Sequence, residues 1–453
     1  MRTRILFLLI LMSGIGQFSR AQNNKKSSEM DKVDFTDSNW NLEHKDGNSI
    51  VVETMEYKGK KALVLEPGQK AYLKNREFKN FQLEFHCSGQ FPGLGFRVQD
   101  EKNYEYLYLR VPMGGNEDAL QYLPIYNGSL PWQLYNYPKY EGTATFPKEQ
   151  LVSLSTSFEN ELVKGNVSKS LITALQKNGL SFSETSLIDF ANESTQYIYD
   201  PESKKALIIE KSEKGIGFMD LRTWIHTKIT VMDKKMDIYI ENMQTPAFTV
   251  ENLKGFSNSG GISLISDFDQ TYFSDVSIME IEGPKSKNPV IDSSKTDNYL
   301  TKWRMSEPFA KDSVNFLSQI DSLISHKAKF NTIEADTDGL INISRFHDDM
   351  TKTVVLTNKL VVSDDKTITL NFDYADYLVI VLNSKVLFDK GLDFQPPPEK
   401  GKEGRVFVDD EQIELKLSKG TNELIFVLSG DIRQKFNWGF IAKLESLDGI
   451  SIE

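Results

Sequence analysis

The stretch Asn103-Tyr104-Glu105-Tyr106-Leu107-Tyr108-Leu109-Arg110-Val111 alternates without a break. Successive side chains of an extended strand point to opposite faces. Tyr104, Tyr106, Tyr108 and Arg110 therefore share one face, and Leu107, Leu109 and Val111 share the other. Just upstream, Arg97 and Gln99 lie opposite Phe96 and Val98. Tyrosine rings stack on the apolar faces of pyranoses, while guanidinium and amide groups hydrogen-bond hydroxyls, so such a face suits a sugar. The same alternation suits tyrosines that pack a sandwich with their hydroxyls at its rim. Downstream, Tyr122, Tyr126, Asn127, Trp132, Gln133, Tyr135, Tyr137 and Tyr140 fall within 19 residues, among glycines and prolines. Exposed rings on a loop held by a sheet serve glycan recognition; rings packed within the loop are the alternative. The candidate carbohydrate-binding residues are Arg97, Tyr106, Tyr108, Arg110, Tyr122, Asn127, Trp132 and Tyr135.

Hydrolysis of a glycosidic bond needs two carboxylates flanking it. Glu84, Glu105, Glu117 and Asp118 are the acids at hand, and each also fits a solvated strand or loop. No catalytic residue is assigned. The five histidines, at 44, 86, 226, 326 and 347, form no His-X-His or Glu-X-X-His pair, so no transition-metal site is expected. The single cysteine, Cys87, excludes an internal disulfide and any multi-cysteine zinc site. His347-Asp348-Asp349 and Ser266-Asp267-Phe268-Asp269 offer oxygen ligands to a structural calcium ion, and suit plain surface turns equally. No other cofactor is expected.

The elements that must hold these residues are short strands. Segments 49–55, 61–65, 82–86, 93–98, 104–111, 225–232, 236–241, 261–265 and 272–282 each run a few residues between turn clusters. That spacing predicts a sandwich rather than βαβ units. From 148 to 221 the chain turns polar and mixed. Helical spacing at Leu171, Ile172 and Leu175, and again at Leu187, Ile188 and Ala191, predicts an insertion with one or two short helices. A linker rich in proline and lysine, within 283–298, marks a domain boundary. Beyond it a helix is expected over 313–326, then strands at 353–362, 367–373, 377–388, 406–408, 413–416, 423–428 and 440–444. Asn383-Ser384 reads as a two-residue hairpin turn. The apolar run 377–382 predicts a strand covered on both faces, and 395–404 an extended proline-rich loop. The fold class is all-β: two jelly-roll sandwiches at 34–282 and 299–453, the first with a partly helical insertion.

Composition agrees with ordinary globular domains, at 453 residues, 39% hydrophobic, 26% charged and 11% aromatic. Arg2 and Arg4 precede an apolar run at 5–12 that is too short to span a bilayer, and Ser19 and Ala21 supply small residues for cleavage. This predicts a signal peptide at 1–21 and a secreted or periplasmic protein of a bacterial envelope, without membrane insertion. The leader's three arginines are its only charges, so its removal takes the net charge from −11 to −14. So acidic a chain lacks the basic stripe that nucleic-acid phosphates need, and nucleic acid is excluded as a partner.

Gly95-Phe96-Arg97, Tyr108-Leu109-Arg110, Leu120-Gln121-Tyr122, Tyr126-Asn127-Gly128 and Trp132-Gln133-Leu134-Tyr135 together resemble a bacterial, laminin G-like branch of the concanavalin A-like lectin/glucanase superfamily. The segments 224–229, 236–240, 260–264 and 272–276 are similar to its closing strands. The resemblance spans about 34–282, with 148–221 departing from the pattern. It implies a sandwich and, as partner, a glycan or polysaccharide. Glucanases of that superfamily carry Glu-X-Asp-X-X-Glu on one strand, whereas Leu83-Glu84-Phe85-His86-Cys87 holds a single acid. A related 3-keto-disaccharide hydrolase group shares the closing strands, but its histidine-bearing hairpin is not matched by Leu264-Ile265-Ser266-Asp267-Phe268. Phe372-Asp373-Tyr374-Ala375-Asp376, Leu382-Asn383-Ser384-Lys385, Lys419-Gly420-Thr421-Asn422-Glu423-Leu424 and Trp438-Gly439-Phe440 are similar to galactose-binding-like jelly rolls, with no ligand residue carried over. The expectation is an extracytoplasmic, non-catalytic carbohydrate-binding protein. The alternatives are a glycoside-acting enzyme and an adhesive or structural envelope protein.

Overall fold

The computed structural model describes residues 30–44, 46–154, 169–177, 187–190, 195–200, 205–212, 215–283, 298–310, 329–392, 405–430 and 436–453. The expected leader, the interior of the expected linker, the expected helix at 313–326 and the expected loop at 395–404 lie outside these residues. Among the described residues no helix is long and apolar enough to cross a membrane.

Among the described residues nearly every element is a strand. The first sheet runs, in spatial order, Phe248–Val250, Lys235–Ile240, Ile225–Met232, Phe81–Ser88, Thr271–Glu280, Lys60–Leu65 and Thr54–Tyr57, with Asp31–Lys32 also on Thr271–Glu280. The second runs Glu141–Gly142, Leu120–Ile125, Asn103–Leu109, Pro92–Asp100, Gly261–Ser266, Gln69–Leu73, Trp40–Glu43 and Ser49–Ile50. Spatial neighbours distant in sequence make this a sandwich of crossed-over strands. Alternate residues of both sheets, among them Leu83, Phe85, Leu94, Leu107 and Leu264, fill one core between them.

A second sandwich pairs a seven-stranded with a four-stranded sheet around Trp303, Phe372, Phe426, Trp438 and Phe440. Its strand Asp376–Leu382 is covered on both faces: Leu378, Ile380 and Leu382 join the main core, while Val379 and Val381 join a second apolar cluster. The hairpin after it turns at Asn383 and Ser384, whose φ of 49° and 66° suit a primed turn. One expected strand does not form. The N–H of Val406 donates to the carbonyl of Gln133 (2.9 Å) in the first sandwich, which takes it out of any sheet.

The insertion also differs from expectation. The first helix is present at Lys169–Lys177, with Ile172 and Leu175 buried. Where a second was expected, Leu187–Phe190 is a strand in a five-stranded antiparallel sheet with Thr195–Asp200, Lys205–Ser212, Gly215–Asp220 and Glu149–Leu154. Two adjacent apolar residues fit either period, and the hairpin partner Tyr197-Ile198-Tyr199, aromatic and β-branched, decides for the sheet. Ala191 lies outside the described residues.

Candidate functional site

The alternation around Tyr106 sorts the faces as expected. Leu107 stands in register with Leu94 and Leu264 in the core layer, and Tyr106 with Gly95 and Ser263 on the opposite face. That opposite face is nonetheless covered. Tyr106 lies flat over Gly93, where a Cβ would fall 2.5 Å from its hydroxyl, and it donates to Asp267 (2.6 Å). Tyr108 stacks on Tyr106 at 5.2 Å, donates to Gln121, and accepts from Arg110 Nη2 (2.7 Å). Gln121 Nε2 in turn donates to the carbonyls of Trp132 and Tyr135, both at 3.0 Å, tying the aromatic loop down across the sheet. Tyr122 faces the core and donates to Glu105, whose carboxyl burial pushes upward. Arg97 is buried beside that carboxyl, 3.7 Å from Oε1, and donates to the carbonyls of Lys79 and Asp233.

The loop's far side meets the second sandwich. Asn127 Nδ2 donates to Ser344 O (2.8 Å), Tyr135 donates to Asp336 (3.3 Å), and Tyr140 donates to Asp338 (2.6 Å). Gln133 and Asn437 bond each other twice, at 3.0 and 2.6 Å. Glu141, buried, receives Arg110 Nη1 (2.9 Å) from one sandwich and Arg405 Nη2 (3.1 Å) from the other. The Arg405 guanidinium lies 5.2 Å from the Trp132 ring centre. Of the eight residues singled out by sequence, six are buried and two, Asn127 and Trp132, are half-buried in this seam.

The first sheet presents a different picture on its outer face. There the alternation of Phe81–Ser88 turns Glu84 and His86 outward, and that of Ile225–Met232 turns His226 and Lys228 outward. The antiparallel register sets His226 opposite His86 and Lys228 opposite Glu84. The imidazoles stack, with centroids 4.5 Å apart and planes 7° from parallel. His226 Nε2 lies 2.7 Å from Glu84 Oε1. His86 Nδ1 lies 3.4 Å from Asp275 Oδ2, and Lys60 Nζ pairs with the same oxygen at 2.6 Å. Asp275 occupies a bulge, with φ at 52°, that aims its carboxylate along the face. Burial, then Lys60 and His226, lower His86 to about 4, so its ring is neutral near pH 7. Burial opposes but does not prevent Lys60 from holding Asp275 below the usual carboxylate range.

Aromatic rings adjoin this cluster. Tyr57 stacks on Tyr272 (3.7 Å, 4°), and Trp224 meets Tyr57 edge-on at 5.5 Å. On the other side Lys228 sits 3.9 Å from the Tyr239 ring centre. The side chains of Glu84, His86, His226, Lys60 and Asp275 keep 24 to 43% of their exposure, so solvent reaches the face. In the sequence Glu84 is the one acid of its strand, and the histidines are scattered. The available signal was Glu-X-His on one outward row and His-X-Lys on another, but only the register joins them.

Among the described residues, no group of three or more His, Cys, Asp or Glu side chains is arranged to hold a metal. In the two stretches considered for calcium, Asp267 accepts from Tyr106, Asp269 accepts from the N–H groups of Gln90 (2.8 Å) and Phe91 (3.3 Å), and Asp349 accepts from Thr351 (2.6 Å).

No protein-family model matches the chain, and no curated protein matches it. Solved structures similar to it include a putative glycosyl hydrolase from Parabacteroides distasonis (10% identity, TM-score 0.26, covering 55% of this chain and 90% of that one). Another is the carbohydrate-binding module CBM66 from Bacillus subtilis (10%, 0.24, 55% and 98%). A third is domain 4 of AbnA, an extracellular arabinanase from Geobacillus stearothermophilus, in complex with arabinotriose (10%, 0.25, 53% and 81%). Likenesses this weak carry no argument about what this chain binds.

Proposed function

We propose that the protein binds a glycan outside the cytoplasm, without cleaving it, on the outer face of the first sheet. One observation carries this reading: an indole and a tyrosine ring adjoin a row of hydrogen-bonding side chains on one solvent-reached sheet face. Trp224 and Tyr57 offer apolar platforms to a pyranose. His226, Glu84, Asp275 and Lys228 offer donors and acceptors to its hydroxyls. The arginine-led apolar leader and its Ser19 and Ala21 support export. Titration of the mature protein with glycans selected on an array tests the site. Trp224→Ala should weaken binding about ten-fold or more while the fold stays intact; unchanged affinity would place the glycan elsewhere. Intact-mass analysis of the exported protein should find Gln22 first, and a retained Met1 would defeat export.

A second reading, glycoside hydrolysis, draws on the same face, because Glu84 and Asp275 flank the stacked imidazoles and hydrolysis uses two carboxylates. Release of reducing ends, lost in both Glu84→Gln and Asp275→Asn, would favour it over simple binding.

A further inference from the structure

The hairpin joining Thr54–Tyr57 to Lys60–Leu65 turns at Lys58 and Gly59, with φ at 42° and 77°. A turn of this kind favours Asn, Asp or Gly at its first position, and a lysine held there carries a backbone cost. Its ammonium bonds Asp220 (3.0 Å) and Glu149 (3.2 Å). Those acids stand directly opposite each other on Glu149–Leu154 and Gly215–Asp220, the strands where the insertion begins and ends. Facing carboxylates repel, and Lys58 bridges them. Burial opposes the charge on Lys58, but Asp220 and then Glu149 outweigh it and hold the ammonium above its ordinary value.

The same turn meets the aromatic rings of the outer face. Asp220 accepts the N–H of Arg222 (2.8 Å) on its other oxygen, and the Arg222 carbonyl accepts the Tyr57 hydroxyl (3.0 Å). The Lys58 carbonyl accepts the indole N–H of Trp224 (3.2 Å). Hairpin tip and residues 220–224 thus close a circuit, with the insertion's root at one end and the indole at the other. Residues 220–224 lead straight into Ile225–Met232, the strand that carries His226.

We infer that Lys58 is a positioning residue of the glycan site, through which the insertion's root sets the Trp224 indole on the outer face. This inference rests on the glycan reading above. A ring already held in place spares the sugar the cost of ordering it, and that saving appears as affinity. The Lys58 side chain keeps 33% of its exposure, so its ion pairs add little to global stability. Their effect is local, at a turn whose side chain grips the insertion while its carbonyl grips the indole.

The test labels the mature protein with 5-fluorotryptophan and assigns the Trp224 fluorine signal by its absence in Trp224→Phe. Lys58→Met, which keeps the stem and removes the charge, should shift that signal. It should also weaken binding of the tightest oligosaccharide on the array by about three- to five-fold. Glu149→Gln/Asp220→Asn, which removes charge from the insertion's side, should reproduce both changes, and Lys58→Arg should reproduce neither. In Trp224→Ala, Lys58→Met should cost no further affinity, because its effect passes through the ring. An unmoved signal, or a Lys58→Met penalty undiminished in Trp224→Ala, would overturn this inference and leave the glycan reading standing. A lower melting temperature with signal and affinity unchanged would overturn it too, leaving Lys58 a structural tie alone. A folded parent that binds no glycan would overturn both readings.

Discussion

His86 and His226 stand directly opposite each other on neighbouring antiparallel strands, with ring centroids 4.5 Å apart. Each has its own carboxylate, Asp275 for His86 and Glu84 for His226. Burial, and after it the nearby Lys60 and His226, disfavour a proton on His86.

That relationship sets a pH dependence. Burial lowers His86 in the folded protein from the ordinary 6.5 to about 4. Between those values the unfolded chain takes up a proton that the folded chain declines. The contribution of the neutral ring to stability is therefore complete above about pH 6.5 and shrinks as the pH falls toward 4. Melting temperatures across that window should fall less steeply in His86→Gln than in the parent, and parallel curves would show that the ring titrates normally.

Glu141→Gln tests the ion network between the sandwiches. The carboxylate is buried and receives both Arg110 and Arg405, and its neutralisation leaves Asp118, 3.2 Å from each, as the carboxylate the two guanidinium groups still share. A loss of about 1–3 kcal/mol in denaturant unfolding is expected. A change under 1 kcal/mol, roughly the worth of a surface pair, would mean that water screens the network.

Trp132→Ala should act on stability. The ring is half-buried against the core and lies under Arg405. About 2–3 kcal/mol should be lost, somewhat below the cost of truncating a fully buried aromatic. A variant with an unchanged melting temperature but weakened glycan binding would return this ring to the binding surface.

Tyr122→Phe removes a hydroxyl that donates to Glu105 and accepts the N–H of Lys254 (2.6 Å). Tyr122 and Glu105 are both buried, so the change removes a donor from a desolvated carboxyl. The expected cost is about 1–3 kcal/mol by chemical denaturation, and an equally stable variant would show that the carboxyl finds another donor.

What could be read from sequence was what is local. Alternation sorted Tyr106 from Leu107 correctly, and Asn383-Ser384 announced its hairpin, because both depend on neighbours in the chain. Alternation says which way a side chain points but not what later covers it. The cover over Tyr108 comes from the loop held by Gln121, that over Tyr106 from Tyr108 and Asp267, and the loop is backed by residues near 336, 405 and 437. The histidine site was hidden for the converse reason. Glu84 and His226 are 142 positions apart, and only the pairing of two strands brings them within a hydrogen bond. At Leu187 and Ile188 the signal was too short to choose a period, and a hairpin partner chose it.

The loop from Asn127 to Tyr140 belongs to one sandwich by sequence and is walled in by both. Gly439 of the second sandwich sits so close to Leu134 of the first that an added Cβ would fall 2.7 Å from a leucine methyl. Cutting the chain between the sandwiches would strand Tyr135, Leu134 and the Asp338 partner Lys254 on a newly wetted surface. Gene rearrangement that moved either sandwich alone into another protein would therefore carry off half of a fitted joint. The pair is the smallest piece that recombination could transplant intact.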